Sequence, residues 1–318
     1  MITSDETKVS FDALCCLYLH LKNIVFLPKY HNIMEMRNWS ITQLAQSLFP
    51  QLQRQEIITE LKQKIKDYSK SNVILITILD PHFPQKLKDI NDCPFVIFAK
   101  GNINLLKQKN ISIVGTRNPS KISIHACDYF STQLALNNYT TISGMAKGID
   151  SVAHRASLHY GGNTIGVIAH GHNHVYPKEN FDLFKLANCN ESVLLISEYE
   201  PNITPRRYFF PRRNRIIAAL SQTLVFFEGS IKSGAISSCN IAINQNKNIY
   251  IFDHKYSSNN EGGKKMLFDG APNLDEILAT KTFFCDTKKP YLSSKKYYYL
   301  GQNQWVSFNL KAQPSNLL

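Results

Sequence analysis

The chain has little arginine, few acidic residues and no paired cysteines, and each shortage excludes something. Only nine of its 36 basic residues are arginine, against 24 Asp and Glu, which leaves a formal charge of +12 and a pI near 9.3. That excess argues against a polycationic partner and favours a polyanion, nucleic acid first. The seven cysteines are odd in number and show no CxxC spacing, which excludes a zinc ribbon and a disulfide framework and fits a reduced, cytoplasmic protein. Long apolar runs are missing too: LCCLYLHLKNIVFL is broken by His20, Lys22 and Asn23, and the opening MITSDETKVS is acidic where a secretory leader is basic. No signal peptide, membrane span or membrane partner is expected.

What is present fits one large α/β domain with smaller additions. Residues 1–72 read as a small helical region: Trp39, Ile41, Leu44, Ala45 and Leu48 keep helical spacing behind a Ser40 cap, and a second helix runs through RQEIITELKQKIKDY. Between 73 and 277, SNVILITILD and DCPFVIFAKGNINLL read as strands. Short apolar runs then recur: ISIV, YTTI, TIGVIA, VLLIS, TLVFF and NIYIF. Spacings of about 25 residues leave room for helical crossovers, which predicts a Rossmann-like, doubly wound, mostly parallel sheet. Residues 278–318 form a short basic and aromatic extension, with a hairpin expected in YYYLGQNQWVSFNL, where Val306, Phe308 and Leu310 alternate with polar neighbours.

In such a sheet ligands bind beyond the carboxyl ends of the strands. There the sequence sets small, basic turns. GTRNPS offers Gly115, Thr116 and Arg117; SGMAKGID offers Ser143, Gly144 and Lys147; EGSIKSGAISS offers Lys232, Ser233 and Gly234. Glycine lets backbone amides approach an anion, and the helix start that follows favours negative charge. The scarce arginines concentrate in RRYFFPRRNRIIAAL, at Arg206, Arg207, Arg212, Arg213 and Arg215, with Asn214 between the last two. Cations at a helix N-terminus oppose its dipole unless an anion offsets them, and guanidinium groups grip phosphate with two bonds at once. Together the turns predict an extended phosphate-binding groove. Tyr208 is placed to stack on bases, while Phe209 and Phe210 read as core.

His170, His172 and His174 alternate in AHGHNHVYP but have no carboxylate or cysteine ligand beside them, so no metal is expected. Asp150 reads as a helix cap, and Glu198 and Glu228 as isolated carboxylates without a catalytic partner. Neither a cofactor nor a catalytic residue is assigned.

The motifs GTR, SGMAKGIDSVAHRASL, GNTIGVIAHGHNHVYPKEN, LISEYEP, FPRRNRIIAALS, KSGAISS and GGKKMLFDGA, in this order from about residue 75 to 275, resemble the DprA/Smf family of bacterial DNA-processing proteins. The resemblance implies a homodimer that binds single-stranded DNA in a basic pocket, protects incoming DNA and helps load the RecA recombinase in natural transformation. It carries binding roles to Arg117, Ser143, Gly144, Arg213, Asn214, Arg215, Lys232, Ser233 and Gly234. Residues 1–70 lack the glycine-bearing helix-hairpin-helix pattern of many members, and the tail is too short for the winged helix of others. Two alternatives stand beside this reading: a nucleotide-processing enzyme of phosphoribohydrolase type, whose PGGxGT-type loop is absent from EGSIKSGA, and a DprA-like nucleic-acid sensor in a defence system. The homodimer surface is expected around IAINQNKNIYIF, near Ile241, Ile243 and Ile249.

Overall fold

A computed structural model describes residues 10–24, 27–51, 53–254, 257, 259–274, 299–300 and 304–305. Four helices lead the chain: α1 (Phe11–Leu21), α2 (Pro28–Arg37), α3 (Ile41–Leu48) and α4 (Arg54–Lys70). Their starts are chemically marked. Ser10 caps α1 by accepting from Ala13 N, and Ser40 and Gln43 close a reciprocal capping box on α3, satisfying amides that have no partner inside the helix. As the periodicity predicts, α3 buries Ile41, Leu44 and Ala45.

An eight-stranded sheet follows, in the order β1-β2-β6-β5-β4-β3-β7-β8. Its strands are β1 (Ile74–Thr77), β2 (Val96–Gly101), β3 (Asn110–Gly115), β4 (Thr140–Ser143), β5 (Thr164–Ile168), β6 (Val193–Ser197), β7 (Thr223–Phe227) and β8 (Asn248–Phe252). From β3 to β8 all neighbours are parallel; β2 joins β6 antiparallel, and β1 joins β2 antiparallel. The six apolar runs read from the sequence are thus the six parallel strands.

The crossovers are α6 (Lys121–Leu136), α7 (Ile149–His159), α8 (Phe181–Leu186), α9 (Phe209–Leu220) and α10 (Gly234–Asn244); short α5 (Gln85–Lys88) precedes them and α11 (Glu261–Phe268) follows. Alternation along the strands divides the core. Val114, Leu224 and Phe226 join Ile216, Ile217 and Ile236 of α9 and α10, in a cluster that also takes Leu17 of α1 and Leu61 of α4. Ile111, Ile113, Val225 and Phe227 point the other way, onto Phe130 of α6 and Ile149 of α7. A sheet covered on both faces needs apolar residues at every position, which is why its strands read as continuous runs.

Among the described residues no helix is long and apolar enough to cross a membrane. In the tail, β9 (Tyr299–Leu300) pairs antiparallel with β10 (Gln304–Trp305), at the place the hairpin was expected; Val306, Phe308 and Leu310 lie outside the described residues.

Candidate nucleic-acid interface

Four of the loops at the carboxyl ends of the parallel strands converge. Gly115 ends β3 in a spot where a Cβ would meet Ile149 Cγ1 at 2.6 Å, so only glycine lets the strand pass so close to α7. Thr116 N donates to Glu228 O at 2.8 Å, and the Glu228 carboxylate accepts from Ser120 N at 2.9 Å and Ser120 Oγ at 2.6 Å. Burial would raise the Glu228 pKa, but hydrogen bonds from Ser120 and Ser123 outweigh it and hold the group below its ordinary value. Glu228 is therefore a brace for the GTR turn, whose Arg117 stands exposed with its guanidinium 5.8 Å from the Phe210 ring centre.

The second turn is tied inward. Ser143 Oγ donates to Ile113 O at 2.7 Å. The amides of Gly144 and Ala146 donate to Asp150 Oδ2 at 3.1 and 3.2 Å, and Asn180 Nδ2 holds Met145 O at 2.9 Å. Asp150 is a turn anchor within α7 and not its cap; burial raises its pKa, opposed first by Arg213. Lys147 remains exposed and pairs with Glu179.

The arginine cluster divides into unlike members. Arg213 is buried, and its Nη1 donates to the carbonyl oxygens of Gly144 and Val167; burial brings its pKa down to about 10. Arg215 is buried as well, bonded to Glu198 and ion-paired with Asp92 at 2.8 Å. Arg212 reaches the same Glu198 oxygen at 3.2 Å, with 39% of its side chain exposed. The anion that meets Arg212 and Arg215 in the structure is thus an internal carboxylate, and Glu198 is not the isolated group its sequence context suggests. Asn214 is also buried, its Nδ2 donating to Gly234 O at 3.2 Å.

After β7, Ser233 caps α10 by accepting from Ile236 N at 3.3 Å. Lys232 and Gly234 are exposed. This turn contributes no residue to the open hollow that the other loops form. Arg117 and Lys147 line its rim, Gly144, Met145, Ile168 and Ala169 its floor, and Tyr176 and Phe210 an aromatic wall, their ring centres 5.5 Å apart. Phe209 is core as expected, whereas half-buried Phe210 faces the pocket. Tyr176, 42% exposed, is a wall residue whose only signal in the sequence is an aromatic beside a proline in a strand-end loop.

The three alternating histidines do not share a face. Each ring donates to a different carbonyl oxygen: His170 Nδ1 to Gly171 at 2.9 Å, His172 Nε2 to Phe98 at 2.9 Å, and His174 Nε2 to Asn202 at 2.9 Å. Burial lowers the pKa of His170, and that of His172 to about 4.

Residues 74–281 match the family model for DNA recombination-mediator protein A. The chain is 35% identical over 197 residues to the DNA processing protein DprA of Bacillus subtilis, covering 62% of this chain and 66% of that protein. It is 38% identical over 174 residues to DprA of Streptococcus pneumoniae, covering 55% and 61%. The chain thus spans just under two thirds of the length of these relatives. Among solved structures, DNA processing protein A from Streptococcus pneumoniae superimposes with a TM-score of 0.63 at 27% identity, over 87% of this chain and 95% of that one. DNA processing protein A from Helicobacter pylori, a structure that concerns its single-stranded DNA binding mode, gives 0.58 at 26% identity, over 65% and 95%.

Proposed function

The chain belongs to the DNA recombination-mediator protein A family, and from that premise we propose that its pocket binds single-stranded DNA, protects it and helps hand it to a RecA-type recombinase during natural transformation. The observation that carries the reading is the pairing of two exposed cations, Arg117 and Lys147, with the Tyr176–Phe210 wall over one hollow. Phosphates take the rim and unstacked bases take the rings, a division of labour suited to single strands and blind to sequence. In this reading Arg117, Lys147 and Arg212 touch DNA, with Thr116, Lys232, Ser233 and Gly234 along its path. Gly115, Ser143, Gly144, Arg213, Asn214 and Arg215 hold the loops in place.

The protein acts as a binder and not as a nuclease or phosphoribohydrolase, since the carboxylates near the pocket are occupied: Asp150 by backbone amides and Glu228 by Ser120. We propose further that it works as a homodimer in the cytoplasm, through the sheet edge at β8 and α10, where Ile243 is 47% exposed. Light scattering should then report twice 36.3 kDa.

Fluorescence anisotropy with a labelled oligonucleotide across a salt series tests the main reading. Single strands should bind more tightly than blunt duplex of equal length, with affinity falling steeply as salt rises. Equal or tighter duplex binding would contradict it.

A further inference from the structure

The segment that joins β6 to α9 is held from two sides. On one side lie the N-terminal helices: His20 of α1 donates from Nε2 to the Glu198 main-chain oxygen at 2.8 Å, and Lys64 Nζ and Tyr68 Oη of α4 both donate to Glu200 Oε2 at 2.6 Å. On the other side lies the loop after β5. Gly171 N donates to Ile203 O at 2.8 Å and Asn173 N to Pro201 O at 2.9 Å, and the Gly171 Cα approaches the backbone of Glu200 and Pro201 so closely that no side chain fits. That loop gives Ala169 and His170 to the pocket.

One ring links the two sides: Phe98 of β2 meets Tyr68 edge-on at 5.3 Å and His20 at 6.0 Å, while its carbonyl oxygen takes the His172 bond. At its start the segment carries Glu198, which grips Arg212 and Arg215 of α9. The N-terminal helices contribute no residue to the pocket lining, yet they brace the strut from which α9 hangs.

We infer that Lys64 and Tyr68 are positioning residues for the pocket, acting through Glu200 on residues 198–203 and so on α9, which carries Arg212 and gives Phe210 to the pocket; the inference rests on the single-stranded DNA reading of that pocket. The sign of one substitution separates this from simple electrostatics. Losing the negative charge of Glu200 near a polyanion site should tighten binding if charge alone matters, whereas losing the brace should weaken it.

The test is a double-variant cycle on the full chain, read by anisotropy with a single-stranded oligonucleotide. Lys64→Met and Glu200→Gln should each weaken binding by roughly 3- to 10-fold, and the double variant should be no weaker than either, because both remove one contact. Lys64→Arg, which keeps charge and donor, should restore wild-type affinity. Tyr68→Phe keeps the ring on Phe98 and deletes only the hydroxyl, so it carries the same test if Lys64→Met folds poorly. Without DNA, amide exchange across residues 198–212 should quicken in Lys64→Met and Glu200→Gln. Unchanged or tighter binding by Glu200→Gln, losses that multiply in the double variant, or unaltered exchange would overturn the inference. Failure of the wild type to bind single strands would instead sink the reading of the pocket, and exchange alone would then decide the brace.

Discussion

The guanidinium of Arg213 lies against the Cα of Gly144: a Cβ at 144 would stand 2.6 Å from Arg213 Cζ. The turn after β4 and the helix after β6 are thus fitted to each other, with the buried cation spending its donors on the Gly144 and Val167 carbonyl oxygens.

Gly144→Ala should therefore act through Arg213. The added methyl displaces a buried, bonded charge, and overpacking of this kind costs about 1–3 kcal/mol. Urea unfolding should show that loss, together with weaker single-stranded DNA binding. A variant with wild-type midpoint and affinity would mean that the turn yields freely and that the fit has no consequence.

Arg213→Ala should prove a folding variant first and a binding variant second. It leaves the Gly144 and Val167 carbonyl oxygens without their buried donor and removes the cation that chiefly opposes the burial-driven rise of the Asp150 pKa, and leaving buried polar groups unsatisfied costs about 1–3 kcal/mol. Adding Asp150→Asn should recover part of the loss in urea melts. If Arg213→Ala is as stable as wild type, the guanidinium is not the anchor its geometry indicates.

Arg117→Ala should do the reverse, leaving the unfolding midpoint in place while weakening binding by about 1–2 kcal/mol and lowering the salt slope by about 0.7, as one phosphate contact to a single strand is lost. Lys147→Ala should match it. Glu179→Gln, by freeing Lys147 from its ion pair, should tighten binding at low salt; an unchanged or lower affinity would show that Lys147 is not held back by its partner.

How far these roles are legible in sequence depends on what local pattern encodes. The six parallel strands are legible because burial on both faces forces unbroken apolar runs, and α3 because Ser40, Gln43 and its apolar stripe agree. The direction of each arginine is not. Arg213 turns inward to the carbonyl oxygens of Gly144 and Val167, and Arg212 stays half out beside Glu198, which it shares with Arg215, tertiary facts with no trace in RRNR. Phe210 departs from the core role expected of it for a related reason: it follows buried Phe209 in the first turn of α9 but lines the pocket, and no stripe is long enough there to say which of the two is core. The antiparallel addition of β1 and β2 beside β6 is likewise set by packing against α1 and α4, not by the runs themselves.

Acid should loosen the fold before it titrates most carboxylates. Burial lowers the pKa of His154 from 6.5 to about 3 and of His172 to about 4, and lowers His20 and His170 as well. The unfolded chain then binds more protons than the native one below 6.5, so the stability these rings contribute is complete above that value and drains as pH falls towards their folded pKa values. Each ring accounts for at most about 1.4 kcal/mol per pH unit in that window. Asp150, raised by burial, works in the opposite sense and offsets part of the loss. The melting midpoint should fall from about pH 7 to about pH 5, and less steeply in His172→Gln, whose amide keeps a donor for Phe98 O. A flat midpoint over that range would rule out the histidine contribution.

The aromatic wall predicts a loss of a different kind from that of the rim. Tyr176 and Phe210 meet at 58° and are tilted, not stacked on each other; in the proposed reading each ring takes a base. Each stacked base is worth about 1–3 kcal/mol by alanine substitution, and Phe210→Ala and Tyr176→Ala should each weaken single-stranded DNA binding within that span. Because no phosphate contact goes with the ring, the salt slope should stay at its wild-type value, in contrast to Arg117→Ala. Phe210→Trp should retain binding and Phe210→Leu should not, since leucine keeps the apolar bulk but offers no π-face. Arg117 complicates the comparison in a useful way, as its guanidinium lies over the Phe210 ring: if Phe210→Leu lowers the slope together with the affinity, the ring serves to seat the arginine, and stacking on DNA is not its role.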